Sequence, residues 1–191
     1  GDVNRIFHFL EQPKTGLHFL KDCRYVLPSP HFVKKEMIRL IDEEIKQARK
    51  KKPASIILKM NSLSDEVLIA KLEDAARAGV EIRLIVRGIF CLYSENKKYL
   101  SPIRAISIVD EYLEHARVWV FHNKGKQKVY LSSADWMLRN LEHRVEATCP
   151  VWHPELKQEL IDILNIQLGD NVKARRLDNE LSNDYVRTDK K

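Results

Sequence analysis

Val86-Arg87-Gly88, then Tyr112-Leu113-Glu114-His115-Ala116-Arg117, then Val129-Tyr130-Leu131-Ser132-Ser133-Ala134-Asp135-Trp136-Met137 with Arg139-Asn140, Arg144 and Glu146 behind it: this stretch decides how the chain reads. Each segment is an apolar run that stops at polar or charged residues, the pattern of strands meeting loops. A histidine, several arginines, two serines and three carboxylates fall at those junctions. Imidazole can attack or carry a proton, and guanidinium forks match phosphate oxygens, so these residue types suit phosphate handling.

Working outward, Ser55–Met60 is a buried-type strand. Ser64-Asp65-Glu66 caps a helix with Leu68, Leu72, Ala75 and Ala76 inward, and Gly79 closes it. Val80, Ile82, Leu84 and Val86 share one face of the next strand. This β-α-β order calls for a parallel pair. Short strands are expected at 105–109, 117–121, 128–133 and 144–151, with a hairpin turn at Asn123-Lys124-Gly125-Lys126 and an irregular loop over 88–104. Upstream, Val3–Leu10 reads as a short helix, Gln12–Gly16 as a loop and Cys23–Leu27 as a strand. Ser29-Pro30 reads as the start of a helix that buries Val33, Met37, Leu40, Ile41, Ile45 and Ala48. That helix ends in the basic run Arg49–Lys52, best read as a solvated end before Pro53. His153-Pro154 starts a last helix carrying Leu156, Leu160, Ile163 and Leu164, closed by Gly169. The tail from Val172 reads as surface. The fold class is α/β: a mixed sheet flanked by helices.

The 191 residues suffice for one good-sized domain, or one domain and part of another. With 44% hydrophobic residues a true core is expected. The formal charge of +6 favours anionic partners: nucleotides, polyanions, nucleic acid or an acidic membrane surface. Cys23, Cys91 and Cys149 are odd in number and widely spaced. They fit a reducing compartment and neither a disulfide framework nor a zinc site. No stretch has the length of a membrane span and the start is polar, so a cytoplasmic protein is expected, with peripheral membrane association left open. Gly1 in place of Met reads as excision from a longer chain.

Arg87 ends a strand of a parallel pair, where α/β proteins bind ligands, and Gly88 lets backbone approach. A phosphate clamp and a salt-bridged surface arginine both fit. His115 gains weight from its company, Arg117 two residues on and Ser132-Ser133-x-Asp135 on the next strand. His8, His18, His31, His122, His143 and His153 lack such company and read as structural or surface. Ser133 and Asp135 could hold an anion or cap a turn. Arg144 and Glu146 read more simply as an ion pair than as a catalytic pair. Trp119, Trp136 and Trp152 read as core or interface.

Leu84–Gly88, Ser107-Ile108-Val109 with Tyr112–His115, Lys128–Met137, Val172-Lys173-Ala174-Arg175 and Glu180-Leu181-Ser182-Asn183 resemble the C-terminal region of the bacterial polyphosphate kinase family over essentially the whole chain. The resemblance implies a reversible transferase that moves the terminal phosphate of ATP onto inorganic polyphosphate and back to ADP, with Mg2+ and a phospholipase D-like fold. It implies that residues 1–26 end the preceding catalytic domain and 27–191 form the final one. The phosphorylated histidine, the magnesium ligands and a base-side tyrosine lie upstream, so the fragment alone is expected to be inactive. Arg87 matches the arginine of the nucleotide site. His115 matches the second histidine there, which contacts phosphates and assists proton transfer. Arg117, Ser133 and Arg139 are further candidates for holding the polyanion, and no metal ligand is expected here. The implied partners are polyphosphate, the upstream domains and a second copy of the chain, without specific nucleic acid. One departure follows Ile89, where the family has a cysteine-rich turn with Pro and Gly and this chain has Phe90–Tyr99.

In the phospholipase D-like pattern, His115-Ala116-Arg117 stands where that superfamily has histidine-x-lysine. Ser133, Asp135, Arg139 and Glu146 stand at its serine, asparagine, arginine and glutamate. An exposed carboxylate would repel phosphate, so Asp135 is expected to orient His115 or an arginine. Two rivals stand beside this reading. One is a phospholipase D-type phosphodiesterase, which needs a second histidine-x-lysine motif. The other is a basic polyanion-binding module.

Overall fold

The strand Ser55–Met60 (β2) needs no polar face, because helices cover it on both sides. All its residues after Ser55 are buried. It lies beside Glu81–Val86 (β3) in parallel register, Met60 opposite Val86, and Ile103–Ser107 (β4) continues the parallel set. On the other side Arg117–Phe121 (β5), Lys128–Ser132 (β6) and Ala147–Val151 (β7) run antiparallel in turn. Leu27–Pro28 (β1) and Arg175–Arg176 (β8) close the two edges, giving the order β1-β7-β6-β5-β2-β3-β4-β8. This computed structural model describes residues 1–30 and 32–187. His31 lies outside them.

Alternation along the strands feeds two cores. Ile56, Leu58, Ile82, Leu84, Trp119 and Phe121 pack under the helices Phe32–Arg49 (α3) and Glu66–Ala78 (α4). Ile57, Ile85, Val118, Val120 and Val129 pack under Pro154–Leu168 (α5). Each such burial is worth about 1.5–3 kcal/mol. Helix α4 has the expected ends: Asp65 accepts from the Leu68 N–H at 3.0 Å, and Gly79 takes a left-handed φ of 93°.

Several expectations are corrected. Ser29 and Pro30 lie outside helix α3 (Phe32–Arg49): the Ser29 N–H donates to the Glu146 carbonyl at 2.9 Å, and Ser29–Pro30 is a cis peptide. Cys23–Val26 forms no strand. The N–H groups of Arg24, Tyr25 and Val26 instead converge on one Asp2 carboxylate oxygen at 2.8, 2.6 and 3.0 Å. Asp2 opens the helix Asp2–Glu11 (α1), which a short helix Leu17–Lys21 (α2) follows. Helix α5 buries Ile161 and Leu164, while Leu156 and Ile163 face solvent. The strand expected at 105–109 sits at 103–107, and the one expected at 144–151 starts at Ala147. The tail is not all surface: Ala174 is fully buried and β8 pairs with β4. Trp119 and Trp136 fill the core in an edge contact, whereas Trp152 is exposed.

Candidate phosphate site

Strand direction gathers the functional residues at one end of the sheet. The parallel strands β2 and β3 end there, releasing Asn61 and Arg87. Antiparallel β5 begins there at Arg117, opposite Ser132 at the end of β6, and Glu146 leads into β7. The carboxyl ends of parallel strands are where α/β sheets open a ligand crevice.

Arg87 and His115, 28 residues apart in sequence, meet at this edge with Arg87 Nη2 2.8 Å from His115 Nδ1. A guanidinium only donates, so Nδ1 must accept, and the imidazole proton sits on Nε2. Arg87 is half-buried, and its Nε is buried with no hydrogen-bond partner among the described residues. His115 is exposed, in a loop between β4 and β5. Gly88 is required by a close approach: its N–H donates to the Asn61 carbonyl at 2.7 Å, and a Cβ would lie 2.8 Å from that oxygen and 2.9 Å from Ser62 Oγ.

Asp135 is buried and orients an arginine. Arg117 holds it through Nε to Oδ1 at 3.1 Å and Nη2 to Oδ2 at 2.9 Å. Asp135 Oδ1 also accepts from the N–H groups of Asn61 and Ser62 at 2.8 and 3.1 Å. Burial alone would raise this carboxyl, but the Arg117 guanidinium and the two amides outweigh it and hold it below the usual carboxylate range. Arg117 Nη1 donates to the His115 carbonyl at 3.0 Å, tying the histidine's backbone to the same network.

The remaining candidates stand apart from that pair. Ser133 Oγ donates to Glu146 and accepts from the Ala147 N–H at 3.1 Å. Asn140 Nδ2 donates to Glu146 at 2.7 Å, so Glu146 serves Ser133 and Asn140 instead of the ion pair expected with Arg144. Arg139 is exposed in the turn Arg139–His143, and its side chain has no partner among the described residues. Among the described residues no three His, Cys, Asp or Glu side chains come together as a cation site. No described helix is long and apolar enough to cross a membrane.

Sequence reasoning assigned no role to Lys59, Asn61, Ser62, Glu114 or Asn140. Asn61 and Ser62 could have been found, since they directly follow a parallel strand. Lys59 could not, because a lysine in an apolar strand gives no sign of what it faces.

The polyphosphate kinase C-terminal domain 2 family matches residues 26–191. Polyphosphate kinase from Escherichia coli (strain K12) is 44% identical over 186 residues, covering 97% of this chain and 26% of the relative. The Vibrio cholerae enzyme is 45% identical over the same length. The crystal structure of polyphosphate kinase from Porphyromonas gingivalis superposes with a TM-score of 0.90 at 44% identity, over 98% of this chain and 28% of that one. Nuc, a phospholipase D family member from Salmonella typhimurium, superposes with a TM-score of 0.59 at 15% identity, over 81% of this chain and 97% of that one. The fold is thus phospholipase D-like, and the chain spans about a quarter of the length of its polyphosphate kinase relatives. The match of residues 26–191 and the identity with these relatives show that the chain belongs to the polyphosphate kinase family, in its C-terminal domain 2.

Proposed function

We propose that the chain is the final catalytic-region domain of an ATP–polyphosphate phosphotransferase, in which the terminal phosphate of ATP moves reversibly onto inorganic polyphosphate. The observation that carries this reading is the Arg87–His115 contact at the carboxyl edge of the parallel strands, in a chain of this family. The contact holds imidazole Nε2–H as a donor, while Arg87 keeps further N–H groups for phosphate oxygens. Arg87 neutralises nucleotide phosphate charge. His115 donates to a phosphate oxygen as an upstream histidine nitrogen attacks the terminal phosphorus and charge builds on the bridging oxygen that leaves with ADP, the polymer oxygen taking the phosphoryl group in the second transfer. With Nδ1 occupied and Nε2 protonated, His115 is a donor and not the attacking nucleophile, which agrees with a phosphorylated histidine in an upstream domain. Arg139 offers a free cation for the polymer, and Arg117 and Ser133 support the edge from within. Residues 1–26 end the preceding domain, and the magnesium ligands lie upstream as well. A cytoplasmic location fits the three free cysteines.

The phosphodiesterase reading is weaker, because the cation of the histidine-x-lysine position is Arg117, already paired with Asp135. The test is kinetic. In the full-length protein, Arg87→Ala and His115→Ala should each lower phosphate transfer by on the order of 10²–10³-fold, the usual cost of losing one charge-stabilising donor, with the fold intact by circular dichroism. Normal rates in both variants would overturn the assignment.

A further inference from the structure

Lys59 is a charged residue in the middle of an apolar sheet. It lies in β2, opposite Ile85 on one side and Val118 on the other, and it is only 6% exposed. An ammonium there must be compensated. Its Nζ donates to Glu114 and, at 2.9 Å, to Gln167 Oε1 of α5, and Gln167 Nε2 donates to the same Glu114 oxygen. The three side chains form a closed triangle joining the sheet, α5 and the loop before β5. Lys59, Glu114 and Arg87 also share the wall of one small space of about 10 Å³, too tight for a hydrated lysine head.

Glu114 is the residue next to His115. The loop that carries both has little apolar anchoring: Val109, Tyr112 and Leu113 are all exposed. It is fixed by polar contacts: the exposed Lys173–Asp110 pair at 3.0 Å, the bond from Arg117 to the His115 carbonyl, and the Lys59–Glu114 pair. Of these, the Lys59 pair reaches the side chain adjacent to His115 from beneath, and Gln167 braces the same carboxylate. We propose that Lys59 is a positioning residue: through Glu114 it sets the height and rotation of the His115 loop, so that Nδ1 meets Arg87 and Nε2–H faces outward. Lys59 thereby acts on a phosphoryl group through His115. The kinetic consequence rests on the function proposed above, and the structural claim does not.

The test uses two variants. Lys59→Met keeps the length and loses the charge. The second variant combines Glu114→Ala with Lys59→Met; it leaves no buried charge unpaired, so it decides the matter if Lys59→Met alone fails to fold. Nitrogen-15 spectra of the His115 ring in the 191-residue chain are the primary readout. The wild type should show one fixed tautomer, Nδ1 bare and Nε2 protonated. Both variants should show the exchange-averaged values of a free imidazole, while the buried Trp119 and Trp136 signals stay in place. A fixed, unchanged His115 tautomer in a folded variant would overturn the proposal, since mere structural support would lower the melting temperature without moving the ring. In the full-length protein, kcat should fall by up to on the order of 10²-fold, with KM for ATP within about twofold. If Arg87→Ala and His115→Ala leave transfer unchanged, the phosphotransfer reading fails, and the tautomer experiment still judges Lys59.

Discussion

The Arg117 guanidinium grips the Asp135 carboxylate through two parallel bonds, and one more of its five N–H donors goes to the His115 carbonyl. The pair sits where β5 starts and β6 ends, and it also holds the Asn61 and Ser62 amides and the His115 carbonyl. It is a keystone between two halves of the sheet edge. Both side chains are nearly buried, at 11% and 6% exposure, so breaking the pair leaves a charge with nowhere to hydrate. Asp135→Ala should therefore cost about 3–5 kcal/mol of unfolding free energy. Urea denaturation checks this. A loss below about 1 kcal/mol would mean that the pair is a surface ornament.

The same carboxylate predicts an acid limb. Asp135 and Asp2 are both held below the ordinary carboxylate range. In each case burial acts the other way and is outweighed, by Arg117 and the Ser62 and Asn61 amides for Asp135, and by the Tyr25, Val26 and Arg24 amides for Asp2. A carboxyl lowered in the folded state binds fewer protons there than in the unfolded chain. Its stabilisation is complete above the unfolded value, about 3.9, and is lost as pH falls through the lowered folded value. Stability from these two groups should be flat above about pH 5 and decline below about pH 4. The decline should be shallower in Asp135→Asn, as measured by urea titrations at several pH values.

Gly88 is tested by one methyl group. Gly88→Ala forces a Cβ to within 2.8 Å of the Asn61 carbonyl and 2.9 Å of Ser62 Oγ, atoms of the loop that Asp135 organises. The strain should cost about 1–3 kcal/mol. It should also weaken ATP binding by displacing Arg87. A variant with wild-type stability and affinity would show that the approach relaxes freely.

Ser133 is hydrogen-bonded on both sides, to Glu146 and to the Ala147 amide. Ser133→Ala should cost about 1 kcal/mol and leave polyphosphate affinity within about twofold. A tenfold loss of affinity would make this hydroxyl a direct ligand.

Much of this was legible in the chain. The β-α-β unit is written in the period of Val80, Ile82, Leu84 and Val86 and in the Asp65 and Gly79 helix ends, which are local signals. That Arg87 ends a parallel strand and that His115 stands just before β5 were legible from the strand pattern. Their mutual contact was not, because it joins residues 28 apart, and the loop that brings them together is held in part by Lys59, far away in sequence. The misread of Ser29-Pro30 has the same origin. A serine-proline pair signals a helix start locally, but here the serine amide is claimed by the Glu146 carbonyl just before β7. The Cys23–Val26 segment likewise yields its amides to Asp2, more than twenty residues away.

The central claim is that Arg87 and His115 form one phosphate-binding unit, and calorimetry measures it directly. ATP and long-chain polyphosphate are titrated into this chain, into Arg87→Ala, into His115→Ala and into the double variant. A preformed unit predicts binding in the wild type, loss in each single variant, and little further loss in the double, because either change dismantles the same pair. Unaltered binding in both single variants would contradict the account and place the anion elsewhere on this basic surface.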